Sequence, residues 1–456
     1  MNTFTINDIL SSCGGRYVGD ESLKQTEVST IVTDSRKVTN GACFAAIKGE
    51  RSDGHAYIEQ CFDNGAVCAI CEDEPENPSK PCIVVKSTLV ALKQAAEYYR
   101  SQFDIPVIGI TGSVGKTSTK EMVAAVLSQK FNVHKTQGNF NNELGVPITL
   151  FGLNESHTAA VVEMGISDFG EMTRLAKMVR PTHCIITNIG NCHLENLRDR
   201  DGVLAAKTEV FDYMTGNREI FLNGDDDKLA TQKDREGIDP VYFGINTSNE
   251  YYAEDVQNNG ADGVSCTLVH GERKISVHID AIGTYMVSNA LAAFAVGESL
   301  GMTDEEIAKG VAGYKTVGSR DNLIKTGRIN IIDDCYNANP NSVMGAIDTL
   351  MNFKGRRVCI LGDMKELGEN ELELHKKVGK YAKEKGVELL AAVGPLAEKI
   401  KDGFGEGALW YNTVEELVES LDGIIKDGDS ILVKASRAMK LERVVDALKN
   451  KFMRLK

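Results

Sequence analysis

The architecture of the chain turns on Gly109-Ile110-Thr111-Gly112-Ser113-Val114-Gly115-Lys116-Thr117-Ser118-Thr119. The apolar run Pro106-Val107-Ile108 precedes it, and Lys120-Glu121-Met122-Val123-Ala124-Ala125-Val126-Leu127 follows with helical spacing. Strand, glycine loop, Lys-Thr and helix in that order make a phosphate-binding loop. The glycines let backbone N–H groups close on phosphate oxygens, the helix start adds partial positive charge, and Lys116 adds a full one. Thr117 is placed to hold Mg²⁺ through its hydroxyl. The usual spacing has a glycine where Ile110 stands, so the loop is a variant form. The alternative, an ordinary strand-to-helix turn, does not explain Gly-Lys-Thr at this point.

Working outward, 456 residues exceed what one hydrophobic core organises and predict about three domains. The composition, 42% hydrophobic and 25% charged, is that of a globular protein. A net charge of −14 speaks against a nucleic-acid surface, which needs clustered Lys and Arg. It leaves room for a local site that binds an anionic small substrate. No stretch is apolar for long enough to span a membrane. Met1-Asn2-Thr3-Phe4-Thr5 lacks the basic start and apolar centre of a signal peptide, so a cytoplasmic protein is expected. Eleven cysteines without framework spacing fit a reducing compartment. Cys68-Ala69-Ile70-Cys71 has no second pair and reads as buried strand cysteines.

Upstream, residues 1–103 form a first unit. Thr33-Asp34-Ser35-Arg36-Lys37-Val38 is polar, and on residue chemistry alone it is a capped turn with a solvated arginine. A strand-like segment, Asp53-Gly54-His55 and a short helical segment follow. Residues 89–100 have helical spacing and lead to the domain link.

Downstream, residues 104–314 form the central unit. Gln137-Gly138-Asn139-Phe140-Asn141-Asn142-Glu143-Leu144-Gly145-Val146-Pro147 is dense in amides and glycines, which suits a polar binding loop after a parallel strand. Glu163-Met164-Gly165 ends a buried strand over residues 158–162, where a carboxylate can reach a cation held on phosphates; a Glu capping a helix expected over residues 168–179 is the plainer alternative. Another strand, His183-Cys184-Ile185-Ile186-Thr187-Asn188-Ile189-Gly190, runs into Asn191-Cys192-His193-Leu194-Glu195. His193 there is either a polar surface group or a metal ligand. Residues 201–213 are predicted helical, and Lys207 taken alone is a solvated helix lysine. Residues 251–280 change to short alternating strands, an antiparallel annex. A helix carrying Asn289 and a Thr303-Asp304-Glu305-Glu306 capping box complete the unit.

Gly310, Gly313 and Gly318 predict a hinge, and in residues 315–456 strands and helices alternate again. That pattern predicts a second, Rossmann-like parallel sheet. Polar clusters follow its strands: Asp333-Asp334-Cys335-Tyr336-Asn337-Ala338-Asn339-Pro340, Gly362-Asp363-Met364 and Lys434-Ala435-Ser436-Arg437. Strand carboxyl ends are where open α/β sheets bind ligands, so the set outlines one edge of a cleft.

These motifs together resemble the Mur ligase family from end to end. The resemblance rests on Thr111–Ser118, Gly138-Asn139-Phe140-Asn141-Asn142, Glu163-Met164-Gly165, Asn188-Ile189-Gly190 with His193-Leu194-Glu195, and Ala206-Lys207-Thr208-Glu209. In the last unit it rests on Asp334, Tyr336-Asn337-Ala338-Asn339-Pro340, Leu361-Gly362-Asp363-Met364, and Lys434 with Ser436-Arg437. It implies three α/β domains: a small N-terminal UDP-substrate domain, a central phosphate-loop ATPase domain with the annex, and a C-terminal Rossmann-like domain. The strings Tyr-Asn-Ala-Asn-Pro and Gly-Asn-Phe-Asn-Asn point within the family to the branch that joins D-alanyl-D-alanine to UDP-N-acetylmuramoyl-tripeptide, using ATP and an acyl phosphate. A sibling that adds the third stem residue, or a folylpolyglutamate-synthase-like ligase, is the alternative.

The resemblance also implies roles. Lys116, Lys207, His193 and Arg320 are catalytic. Gly112, Ser113, Val114, Gly115, Lys116, Thr117, Ser118, Asn289, Arg320, Asp334 and Asn337 bind ATP. Thr117, Glu163, His193 and Lys207 hold two Mg²⁺ ions, with Lys207 carbamylated. Ser35, Arg36, Asn139, Asn142, Ser436 and Arg437 meet substrate, and Asp34-Ser35-Arg36 with Asp53-Gly54-His55 resembles the UDP-sugar-binding part. A monomer is expected. Three departures stand out: Tyr285 replaces the usual His at a helix start, Gly318-Ser319-Arg320 inserts a serine into the hinge Gly-Arg, and Asn196-Leu197-Arg198-Asp199 replaces a glycine turn.

Overall fold

The computed structural model describes residues 4–49 and 52–453; Met1 to Thr3, read above for a targeting signal, lie outside them. Four sheets follow one another along the chain. The first has the order Arg16–Val18, Cys82–Val84, Cys68–Cys71, Cys43–Ala45, Ile31–Val32, parallel except for its first pair. The central sheet runs Pro240–Phe243, Glu219–Asn223, His183–Ile186, Val107–Thr111, Ala159–Glu163, Val133–Lys135, and every pair is parallel. Its middle strands are apolar on both faces because helices cover both. The three-stranded annex, Tyr252–Asn258, Val264–His270 and Arg273–Ile279, is antiparallel. There Ile275, Val277 and Ile279 alternate inward against Lys274, Ser276 and His278. The last sheet runs Asn322–Lys325, Asn330–Asp334, Ser430–Lys434, Arg357–Gly362, Leu389–Val393, Leu409–Tyr411, parallel but for its antiparallel first pair.

The cores decide how these parts are joined. One apolar cluster runs unbroken from Ile6, Ile31 and Ile83, through Leu92 and Ala96 of the helix Thr88–Ser101, to Val107, Leu150, Leu175 and Ile186. The N-terminal and central sheets are therefore fixed to each other by shared hydrophobic burial. The C-terminal sheet has a core on each face; among the described residues, Ile282 of the central unit is buried within one of them and Ala261 packs against it partly buried. The C-terminal part is accordingly attached by its hinge and by surface contacts rather than by a common core.

Local chemistry adjusts several of the boundaries read from spacing. The helix expected over residues 168–179 begins at Glu171, because Gly170 takes φ +73 as its N-cap. The helix expected over residues 201–213 is α-helical over Arg200–Thr208, capped by Asp199, and tightens to a 3₁₀ turn at Glu209–Tyr213. The amide-rich loop ends sooner than its composition indicates, since Gly145 opens the helix Gly145–Phe151. Glu163 is the last residue of its strand rather than the first beyond it.

Candidate active site

The strand Val107–Thr111 delivers the glycine loop to the helix Lys116–Leu127, and Gly115 at its N-cap takes φ +84. Gly112 takes φ +147, and a Cβ on it would lie 1.9 Å from Thr187 Oγ1. The neighbouring strand end braces the loop. The Ser113 amide donates to Asn188 O (3.0 Å), the Val114 amide to Asn188 Oδ1 (2.9 Å), and Thr187 Oγ1 to Val114 O (2.6 Å). These bonds join loop and strand end into one cradle, and the first amides of the helix Lys116–Leu127, which have no partner within the helix, are the groups such a loop offers an anion. Lys116 Nζ donates to Gly112 O at 2.7 Å, and burial lowers its pKa against the opposing pull of Glu163.

Beside the cradle, Thr117 Oγ1 donates to Glu163 Oε2 at 2.8 Å, and Asn141 Nδ2 donates to Glu163 Oε1 at 2.8 Å. Glu163 is 1% exposed, so each carboxylate oxygen takes a hydrogen bond in place of water. The amide loop thus reaches the phosphate loop through Asn141, whose neighbour Asn142 caps the following helix through Gly145 N (2.9 Å). Thr119 Oγ1 donates to Asn289 Oδ1 at 2.9 Å, which brings the helix Tyr285–Ser299 to the same wall.

Lys207 is not the solvated helix lysine that composition alone expected. It is 1% exposed, no carboxylate among the described residues pairs with it, and burial lowers its pKa to about 8. The charge of Lys116 acts on it, and both lysines act on His193. His193 sits at φ +52, and its Nδ1 lies 2.7 Å from Glu366 Oε2 of the C-terminal part. Burial keeps this imidazole below its usual pKa despite Glu366.

The C-terminal part brings Arg320, whose guanidinium stacks over the Tyr336 ring at 3.7 Å and whose charge reaches Lys116. The inserted Ser319 accepts the Tyr336 amide through its carbonyl (3.1 Å), so the extra residue ties the hinge to this loop. Lys434 Nζ bridges Asp334 Oδ2 (2.5 Å) and Asn337 O (2.9 Å). Burial and the nearby Asp321 raise Asp334 to about 7 in spite of Lys434. Tyr285 is a partly buried neighbour of Asp321 and Asp334, and its buried hydroxyl makes no well-formed hydrogen bond. Ser436 Oγ accepts the Lys365 amide (2.9 Å), while the exposed Arg437 pairs with Glu442 (3.3 Å).

The N-terminal residues lie apart from this centre. Asp34 caps its turn and binds the exposed Arg36 side chain at 2.8 Å, so the capped turn is what the residue chemistry gave. Lys37 stands over the Phe140 ring at 5.6 Å, which sets the Ser35-Arg36 turn beside the loop of Asn139 and Asn142. Glu143 receives Lys93 and Arg174, each at 2.6 Å, and clamps that junction. Of the residues in these contacts, motif reading had given no role to Asn141, Glu366, Tyr336 or Lys434. Asn141 lay inside a quoted string, but nothing local in the sequence marks Glu366.

Comparison with known proteins agrees with this geometry. The chain matches the Mur ligase family, catalytic domain, over residues 27–112, the Mur ligase middle domain over 110–297, and the Mur ligase, glutamate ligase domain over 319–437. It is 35% identical over 454 residues to the UDP-N-acetylmuramoyl-tripeptide–D-alanyl-D-alanine ligase of Bacillus subtilis (strain 168), covering 97% of this chain and 98% of that one. A crystal structure of MurF from Acinetobacter baumannii superposes with a TM-score of 0.91 at 31% identity over 99% of both chains. The MurF ligase of Thermotoga maritima in complex with ADP gives 0.84 at 29% identity, over 93% of this chain and 97% of that one. A braced phosphate loop, a buried carboxylate beside it and a hinged second sheet, matched along nearly the whole length, mean that the chain belongs to the Mur ligase family.

Proposed function

We propose that this chain is an ATP-dependent ligase that joins D-alanyl-D-alanine to UDP-N-acetylmuramoyl-tripeptide through an acyl phosphate, yielding the UDP-linked pentapeptide, ADP and phosphate for peptidoglycan synthesis. The observation that carries this reading is the end-to-end match to a ligase of that name. Neither a sibling adding the third stem residue nor a folylpolyglutamate-like ligase is favoured against it.

The reaction brings a peptide carboxylate against a triphosphate, so the site must offset anionic repulsion where the oxygens meet. The loop Gly112–Ser118 cradles the phosphates, and Lys116 moves from Gly112 O to a phosphoryl oxygen. Arg320 adds a second cation from across the hinge, with Asn289, Asp334 and Asn337 completing the nucleotide contacts. Hydroxyl and carboxylate oxygens side by side, as on Thr117 and Glu163, are hard donors of the kind Mg²⁺ takes. An ion held by these two residues would shield the phosphates and polarise the γ-phosphoryl group. His193 and a carbamylated Lys207 would hold a second ion. As an ammonium Lys207 repels a cation. As a neutral amine its nitrogen attacks the carbon of CO₂, one C=O π pair moves to oxygen as the N–C bond forms, and the nitrogen's proton passes to water, leaving a carbamate that presents a carboxylate. Burial favours that step because it raises the neutral fraction at neutral pH.

Ser35, Arg36, Asn139 and Asn142 meet the UDP-linked substrate, and Ser436 with Arg437 meet substrate from the C-terminal side. We set the domain limits at 1–103, 104–314 and 315–456, and the enzyme acts as a monomer. No helix of the described residues is long and apolar enough to cross a membrane. A reaction that consumes ATP and a UDP-linked precursor places the enzyme in the cytoplasm. Phosphate release that requires both UDP-N-acetylmuramoyl-tripeptide and D-alanyl-D-alanine tests the proposal; release without the dipeptide refutes ligation.

A further inference from the structure

The loop after His183–Ile186 is where the C-terminal part touches the central one at three points. His193 Nδ1 lies 2.7 Å from Glu366 Oε2. The backbone of Gly368 lies against Leu194 and Glu195. Gly190 leaves room for Asn341, whose Nδ2 would be 3.3 Å from any Cβ there. Both members of the His–Glu pair, at φ +52 and φ +64, adopt a left-handed backbone that such residues rarely take, so two separate loops are bent to make this one contact.

The chemistry of the contact is directional. A carboxylate can only accept, so Nδ1 carries the proton and Nε2 keeps the ring's one lone pair. The ring lies within electrostatic reach of Lys116 and Lys207. A carboxylate that takes one histidine nitrogen while the other faces a metal is a common second layer of metal sites, and it fixes both tautomer and ring orientation. Here that carboxylate belongs to the other side of the hinge.

We propose that Glu366 is the positioning residue of His193, so that the second metal's ligand set is completed only when the C-terminal part is docked. Docking and metal binding are then linked, and the ligase centre is closed by the part that also carries Arg320. The inference deepens the reading above and rests on His193 being a ligand.

The test uses the full chain with ADP and Mn²⁺ as the paramagnetic probe, counting bound ions and their affinities by EPR. Glu366→Ala weakens the second Mn²⁺ ~10–100-fold while ADP and the first Mn²⁺ bind as in the parent. Glu366→Gln, whose amide oxygen still accepts from Nδ1, stays within about threefold of the parent by the same reasoning. In turnover, Glu366→Ala lowers kcat and leaves KM for ATP unchanged. A second Mn²⁺ bound equally well by Glu366→Ala overturns the proposal. If His193→Ala then loses that ion, the ligand reading stands and only the role of Glu366 falls. If neither variant alters Mn²⁺ binding, both fall, and dipeptide-dependent phosphate release still tests ligation by itself.

Discussion

Gly112→Ala is the sharpest perturbation of the phosphate loop. A Cβ at this position lies 1.9 Å from Thr187 Oγ1 and 3.1 Å from the Thr187 backbone nitrogen. The hydroxyl can turn away; the backbone cannot. Turning away breaks the 2.6 Å bond to Val114 O, a loss of about 1 kcal/mol. Alanine at φ +147 costs a further 1–3 kcal/mol, roughly. Together these predict that ADP binds about 30–1,000-fold more weakly, from about 2–4 kcal/mol. Isothermal titration of ADP into parent and variant measures it. The same reasoning predicts a coupling. Thr187→Ala alone costs about fivefold, from ~1 kcal/mol, but adds almost nothing to Gly112→Ala, because the bond it removes is already broken. A Gly112→Ala protein that binds ADP within threefold of the parent, or a Thr187→Ala effect that is fully additive, refutes the account.

Three further outcomes are expected. Asn141→Ala strips one hydrogen bond from the buried Glu163 carboxylate; at about 1.5–3 kcal/mol for a bond to a charged group, dipeptide-dependent phosphate release should fall ~10–150-fold with the fold intact, read by steady-state kinetics and circular dichroism. Lys207→Ala should abolish turnover, and short-chain carboxylic acids should restore part of it by supplying the missing carboxylate; no rescue by acids or bicarbonate counts against carbamylation. Burial lowers His134, His183 and His375 below 6.5 in the folded state, so the unfolded chain binds more protons once pH falls below that value. Stability is therefore full above about pH 6.5 and declines beneath it; thermal unfolding at pH 5.5 should come earlier than at pH 7.5, and His375→Gln should flatten part of the difference.

What could be read from the sequence was whatever short-range chemistry specifies. The phosphate loop is contiguous, its glycines answer local backbone demands, and its flanks carry opposite periodicities, so strand, loop and helix emerge from one window. Alternating strands and helices beyond the hinge imply a second parallel sheet for the same reason. Lys207 shows where that logic stops. Its helix is polar enough to look solvated, and only the third dimension buries the side chain beside Lys116 and His193. The helix boundaries at Glu171 and Arg200 moved because capping by Gly170 and Asp199 outweighed the apolar period.

Glu366 is the stronger case, because its partner lies in a loop that follows a strand of another sheet and no local pattern links them. A carboxylate in a turn has many uses, and only the 2.7 Å approach to His193 selects one. The same holds for the shared core between the first two sheets and the separate cores of the third part, a division that no composition shift reports. Yet that division gives the His193–Glu366 contact its weight. With almost no common core to hold the C-terminal part against the phosphate loop, polar contacts at the cleft set its position. A hydrogen bond from a neutral imidazole to a carboxylate at a solvent-accessible interface contributes little stability of its own, about 1 kcal/mol. Such a contact can orient a side chain while the hinge still opens to release ADP and the peptide product, which a hydrophobic seam of the kind joining the first two sheets could not.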